Sequence, residues 1–427
     1  MAQIRKRTDS TYQIIVCLGR DSEGRRYFKR TTYTPTATTP KAIQTEVEDY
    51  ARDFEKRVKN GEVLDGESMT FREFVEIWKE TSLLNLTPRT QDEYKRQIEA
   101  HFMSELGFMP MSDIKATHID RVLHKMRKEG KAPKTIRYTF TAINSVMKYA
   151  FKKGYINENP CLRCDDLPKV TKDNDLHFFT VPQAKTFLNA LTLEYEEKRA
   201  PVTRHLKNGT SYEVGGYTIM NKIPFQWRAY FNIAIYGGFR RGEILALTWE
   251  DIDEVNHTIN IEKAISRTFK EEIVKEPKTV AGKRCIRLPK ETFSILREWK
   301  VKQKELSFKL GTAWEGYRGD DFDKNYIFID LNTGKRMSID TPTHKFKEII
   351  SLYNSQKAQG EEDKLPEIRL HDLRHTSATL LLTNGTDIET VSKRLGHSKA
   401  SVTLDVYGHA MEEADVTASD TLEKLFA

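Results

Sequence analysis

Cysteine is scarce in this chain, with four residues in 427: Cys17, Cys161, Cys164 and Cys285. Scattered thiols of this kind make no disulfide framework and suit a reducing compartment. Cys161 and Cys164 have the spacing of half a zinc site, but no second Cys/His pair stands beside them, so neither a metal nor another cofactor is expected. An apolar run long enough to span a membrane is missing, as is a signal-peptide pattern after Met1. The expectation is a cytoplasmic protein with no membrane partner. No acidic cluster stands where a metal-dependent nuclease would need ligands. A large excess of one charge is lacking too, since 69 Lys and Arg face 62 Asp and Glu. With 31% charged and 38% hydrophobic residues, the composition is that of a globular chain and not a disordered one. Its length suits about two to four domains.

What charge there is has been sorted. From Lys115 to Lys153, eleven Lys/Arg face two Asp/Glu, and from Met1 to Arg30, eight face three. Basic stretches of this kind suit a polyanion, nucleic acid being the usual one. In residues 1–66, Tyr12, Ile14, Val16 and Leu18 alternate as in a half-buried strand. Asp21 to Gly24 reads as a hairpin loop and Arg26 to Tyr33 as the returning strand. Pro40 opens a helix with apolar positions Ile43, Val47, Tyr50, Phe54 and Val58, which Gly61 ends. A short sheet backed by one helix, bearing Arg25, Arg26, Lys29 and Arg30, could enter a major groove.

The polar stretch Glu62 to Ser68 reads as a linker. Beyond it the signals are helical throughout. Thr70 with Glu73 is a capping box, and Thr87-Pro88 is an N-cap followed by proline at the first helical position. Further helices are expected over Thr117–Glu129 and Pro133–Lys153, the second with the stripe Ile136, Phe140, Ile143, Met147 and Ala150. Asn159-Pro160 ends this region, and the polar run Leu167 to Asp175 reads as an interdomain linker. Thr180 with Gln183 then caps a helix, and residues 193–222 are polar and read as irregular.

Chemistry-bearing residues concentrate near the end, in HDLRHTSATLLLTNGTDIETVSKRLGHSKASVTLDVYGH, His371 to His409. His371, Arg374, His397 and Tyr407 are groups suited to a phosphodiester. His371, Arg374 and His375 fall at i, i+3 and i+4, on one face of a helix. Asn384-Gly385 fits its stop, Thr386 with Glu389 caps the next helix, and Gly396 ends that one. His375 is expected to support the core.

This pattern resembles the second box of the tyrosine recombinases, the phage and mobile-element integrase family: His-x-x-Arg, then Leu-Gly-His, then a tyrosine about ten residues on. The stretch YGGFRRGEILALTWEDID, Tyr236 to Asp253, is similar to the first box, in which Gly, a bulky apolar residue, Arg, two residues and Glu open a helix. The resemblance implies a catalytic set of Arg240, Lys278, His371, Arg374, His397 and the nucleophile Tyr407. Glu243 would brace the site. Lys278, in Pro277-Lys278-Thr279, matches a lysine on a hairpin turn, with Lys275 and Lys283 close by as alternatives. A phenol of pKa near 10 is a weak nucleophile at neutral pH until it is polarised. Two guanidiniums can hold the non-bridging oxygens and the charge of a pentacoordinate phosphorus without a metal. His371 could accept the phenol's proton, His397 would be a further donor, and the resemblance assigns the leaving 5′-oxygen's proton to Lys278.

The fold implied is multidomain α+β. Residues 1–66 would be an arm-type DNA-binding domain of three strands and a helix, and 67–168 an all-helical, SAM-like core-binding domain. Residues 169–427 would be a mainly helical catalytic domain with a small antiparallel sheet. The partners implied are double-stranded DNA att sites of core and arm type and a homotetramer on DNA, with a directionality factor and a host DNA-bending protein in addition. The tail Thr421 to Phe426 would dock on a neighbouring protomer. The activity expected is site-specific recombination for a phage or conjugative element. The alternatives are a type IB topoisomerase-like enzyme and a DNA-binding regulator with an inactive catalytic domain.

Overall fold

The computed structural model describes all residues except 1, 9, 21–25, 60–68, 166, 171–175, 207–209, 277–279, 409–422, 424, 425 and 427. The chain divides into two compact units, Met1–Lys172 and Asp173–Ala427. The architecture is α+β, with small antiparallel sheets among many helices.

The first unit begins with strands β1 (Gln3–Lys6), β2 (Tyr12–Arg20) and β3 (Arg26–Tyr33), in the order β1-β2-β3. Helix α1 (Pro40–Lys59) closes one face, burying Ala51, Phe54 and Val58 against Ile14 and Val16. Glu46 of α1 accepts from Tyr33 Oη at 2.7 Å and from the Thr36 and Ala37 amides at 3.0 and 2.9 Å. These bonds, the Thr36 amide first, hold its carboxyl at about 2. Strand β1 gave no pattern of its own to read, because all four residues are exposed. The expected loop at 21–24, the end at Gly61 and the linker 62–68 lie outside the described residues.

A second core follows, built by α2 (Phe71–Glu80), α3 (Pro88–Gln97), α4 (Met103–Leu106), α5 (Ala116–Lys128) and α6 (Pro133–Lys152). The α2 capping box forms: Glu73 N donates to Thr70 Oγ1 at 3.3 Å and Thr70 N to Glu73 Oε2 at 2.9 Å. Ile136, Ile143, Met147 and Ala150 of α6 are buried as expected and Phe140 partly so.

In the second unit, α7 (Val181–Ala190) carries the Thr180/Gln183 capping box. Residues 193–222 are not irregular. They form strands β4 (Glu194–Arg199), β5 (Val202–His205), β6 (Ser211–Val214) and β7 (Tyr217–Lys222), nested as antiparallel pairs β4–β7 and β5–β6. Apart from Tyr195, which is buried in the core, the described residues of these strands are largely exposed, so the strands carry no apolar alternation.

Helix α8 (Gln226–Gly237) runs through the core, and α9 (Arg241–Ile244) follows after one turn. Strands β8 (Ile252–Asp253), β9 (Thr258–Ile261) and β12 (Arg284–Arg287) form a sheet ordered β12-β9-β8. Strands β10 (Ala264–Arg267) and β11 (Glu272–Lys275) form a separate hairpin. Helices α10 (Lys290–Leu310), α11 (Thr341–Gln356), α12 (Asp372–Thr383), α13 (Ile388–Leu395) and α14 (Ala400–Tyr407) complete the unit. The cap of α13 is Asp387 and not Thr386, with its carboxylate accepting from Thr390 N at 2.8 Å. A carboxylate at the N-terminus gains from the helix dipole as well as from the hydrogen bond.

Candidate active site

Three helix boundaries deliver the site. Gly238 ends α8 at φ 61, and a Cβ there would stand 2.9 Å from Leu395 Cδ2, so the turn into Arg240 requires glycine. Arg240 caps α9; His371 stands at the cap of α12, with Arg374 and His375 within it. Gly396, at φ 70, ends α13 and turns the chain into His397.

Arg374 is 3% exposed. Its Nη1 donates to Gly238 O at 2.8 Å, and its Nη2 lies 2.8 Å from His397 Nε2. A guanidinium can only donate, so Nε2 accepts and the ring proton sits on Nδ1, directed at Thr403 Oγ1 2.8 Å away. Arg240 Nη1 donates to Glu243 Oε1 at 2.8 Å and Nη2 reaches Gly396 O at 3.5 Å. Arg241 points elsewhere, to Thr343 Oγ1 at 2.6 Å and Asp340.

Glu243, 3% exposed, is the brace. Beyond Arg240 it accepts from Arg284 Nη2 at 2.8 Å and Nη1 at 3.3 Å. Burial alone would push its carboxyl up, but the guanidiniums of Arg284 and Arg240 hold it below the usual range. Arg284 escaped the sequence reading, although its signal was there. Arg284, Ile286 and Leu288 alternate, which puts an arginine on the inward face of β12.

The cluster holds more positive than negative charge. Burial first, then Arg240, lowers the Arg374 guanidinium to about 9, Glu243 opposing. Loss of hydration, with Arg374 and Arg240 next, brings His397 down to about 4. His371 is also brought to about 4, by loss of hydration, then His375 and Arg374. An anion placed here would relieve all of these groups at once. A cleft of about 530 Å³ beside them is lined by Arg240, Glu243, Lys275, Glu276, His397 and Ser398. Lys278 lies outside the described residues. Of its alternatives, Lys275 faces this cleft, and Lys283 is paired with Glu276 at 2.8 Å.

Tyr407 ends α14 with its ring 1% exposed, among Ala378, Leu382, Val391 and Leu395. Burial pushes its phenol up to about 12 while Arg374 pulls the other way. Its hydroxyl does not meet His371. It lies 2.8 Å from Nδ1 of His375, which is half-buried. The His371 ring stands edge-on to the His375 ring at 5.3 Å. Arg240, Arg374, His371, His397 and Tyr407 are therefore gathered in one neighbourhood of the second unit.

Two family models match the chain: "Phage integrase family" over residues 217–414 and "Phage integrase, N-terminal SAM-like domain" over residues 70–127. The chain belongs to the phage integrase family. Among its relatives, a XerC-like tyrosine recombinase of Caldanaerobacter subterraneus subsp. tengcongensis is 25% identical over 97% of this chain and 96% of its own length. The ICEBs1 integrase of Bacillus subtilis is 26% identical over 99% of each chain. Among solved structures, the Tn1549 transposon integrase in complex with transposon right end DNA aligns with a TM-score of 0.61 at 21% identity, covering 84% of this chain and 100% of that one. That likeness speaks for the fold. The two sequence boxes, 236–253 and 371–409, both fall inside the matched span 217–414.

The lowered His397 imidazole carries a stability consequence. His397 has a folded-state value of about 4 against about 6.5 when free, so the unfolded chain binds protons first as pH falls. The DNA-free protein should keep its histidine-linked stability above about pH 6.5 and lose it progressively down to about pH 4. Thermal melts across that range check this. His397→Gln should flatten the decline, and bound DNA, whose phosphate favours an imidazolium, should do the same.

Proposed function

We infer that this integrase is a site-specific DNA recombinase that cuts and rejoins strands through a 3′-phosphotyrosyl intermediate, integrating and excising a mobile element. The observation that carries the reading is the meeting of Arg240 and His397 at one cleft, with Arg374 hydrogen-bonded to His397 and the Tyr407 phenol in the electrostatic reach of Arg374. The arginines would each donate to non-bridging oxygens of one phosphate and stabilise its pentacoordinate state. Tyr407 Oη would attack phosphorus as the bond to the 5′-oxygen breaks. The freed 5′-oxygen takes its proton from Lys278. His371, at the cap of α12, would stand on the same phosphate and serve as proton acceptor once the phenol turns to attack. His397 Nε2, which accepts from Arg374 in the free protein, would become a donor when the phosphate draws Arg374 away and favours the protonated ring.

The phosphotyrosyl link conserves the bond energy. A 5′-hydroxyl of a second strand can therefore reverse the step without ATP, and repetition on two duplexes passes through a Holliday junction. Because the arginines supply the charge stabilisation, cleavage should persist in EDTA. Residues 1–66 would read arm-type sites, 67–168 would clamp core-type sites, and 169–427 would cut. A homotetramer would form on the DNA in the bacterial cytoplasm, helped by a directionality factor and a DNA-bending protein. The tail that would tie neighbouring protomers together falls largely outside the described residues.

Incubation with a nicked suicide substrate should give a covalent protein–DNA product that Tyr407→Phe abolishes while duplex binding persists. A regulator with a relic site would give no such product from either protein. Relaxation of supercoiled DNA lacking att sites at the rate seen with att sites would favour the topoisomerase alternative instead.

A further inference from the structure

Helix α14 is seated by two imidazoles. Thr403 and Tyr407 lie at i and i+4, on one face, and both are buried. Thr403 Oγ1 lies 2.8 Å from His397 Nδ1, and Tyr407 Oη lies 2.8 Å from His375 Nδ1. The first contact belongs to the phosphate site already described. The second has no part in it. His375 follows Arg374 directly, so the two side chains leave α12 about 100° apart: one enters the guanidinium cluster, the other reaches the phenol.

The direction of that hydrogen bond follows from the surroundings. Burial raises the phenol, Arg374 opposing. Loss of hydration lowers the His375 imidazole; Asp372 opposes this, and Arg369 and Arg374 add to it. Near neutral pH both groups are uncharged, so the phenol donates, Nδ1 accepts, and the ring proton is on Nε2. A hydroxyl enclosed by Ala378, Leu382, Val391 and Leu395 would be costly without an acceptor, and His375 supplies one.

We propose that His375 is a positioning residue for the nucleophile: by accepting the phenol's hydrogen bond it seats Tyr407, still protonated, beside Arg374 before DNA is cut. This rests on the reading that Tyr407 is the attacking group. The phenol's contact before cleavage is thus with His375, and His371 keeps the role of proton acceptor once the phenol turns to attack. Without the acceptor the phenol samples other orientations, and a displacement of about 1 Å is enough to slow attack about 100-fold.

The test is single-turnover formation of the covalent complex on a nicked suicide substrate, with duplex affinity measured alongside. His375→Phe keeps a ring and removes the acceptor; it should slow trapping about 10–100-fold with affinity unchanged. His375→Asn places Oδ1 where Nδ1 stood and should recover most of the rate. His375→Gln, whose acceptor falls where Nε2 stood, should be slowed as the Phe variant is. The Asn and Gln pair decides the matter even where the Phe variant does not fold. Equal rates for Asn and Gln, or a wild-type rate for the folded Phe variant, would overturn the proposal. Tyr407→Phe, run in parallel, separates the two claims. Trapping that survives it sinks the assignment of the nucleophile. Trapping lost with Tyr407→Phe but untouched by His375→Phe sinks the role of His375 alone.

Discussion

Arg374→Lys should lower the strand-cleavage rate about 10²–10³-fold and leave duplex affinity within a few-fold. The argument is geometric before it is electrostatic. Arg374 is 3% exposed and donates in two directions from one plane, to Gly238 O and to His397 Nε2, each at 2.8 Å. That plane fixes where the guanidinium meets a phosphate. An ammonium is a point charge without that planar fork. The site already penalises a cation, since burial and then Arg240 bring even the guanidinium to about 9. A lysine in the same place gives up its proton more readily, so the variant loses charge as well as shape. Affinity is spared because contacts along the duplex backbone supply most of it. Single-turnover cleavage with a parallel binding isotherm checks both halves. A loss of rate below about fivefold would place the transition-state charge on other donors.

The second large effect is on stability. Glu243→Ala should cost about 3–5 kcal/mol, because it leaves a buried guanidinium uncompensated. Arg284 is 6% exposed at its side chain and Glu243 3%, with contacts of 2.8 and 3.3 Å between them. Its other hydrogen-bond partners are carbonyls, Arg394 O at 2.8 Å and Gly282 O at 3.1 Å, and it lies over the Phe239 ring; none of these neutralises it. Arg240, with 43% of its side chain exposed, can turn to water and adds less to the cost. Urea unfolding of the two proteins measures the difference. A cost under about 1 kcal/mol would mean that water reaches Arg284 and that the carboxylate is not its counter-ion.

The site was legible because its residues are rare types at long fixed intervals. Arg240, Arg374, His397 and Tyr407 lie far apart in the chain and meet because Gly238 and Gly396 each take a left-handed turn. The capping boxes at Thr70 and Thr180 formed as read, since their bonds are local and need no tertiary partner. Contacts set by tertiary packing were harder to read. The Tyr407–His375 bond joins α14 to α12 across 32 residues, and nothing in the i, i+4 spacing of His371 and His375 says which ring meets the phenol. The ribbon β4–β7 shows no strand signal in the sequence, because its largely exposed residues carry none of the periodicity that marks a strand. An isolated arginine in a strand is ordinarily solvated, and Arg284 is held inside by Glu243 on another element, a contact its own segment does not announce.

The central claim is that the oxygen of one phenol becomes bonded to DNA. A substrate bearing a bridging phosphorothiolate at the cleavage position traps that state, because the departing thiolate cannot reverse the step. Protease digestion of the trapped complex and mass spectrometry of the nucleotide-bearing peptide should place a 3′-phosphate on Tyr407. Attachment at any other residue, or at a 5′-phosphate, would contradict the account.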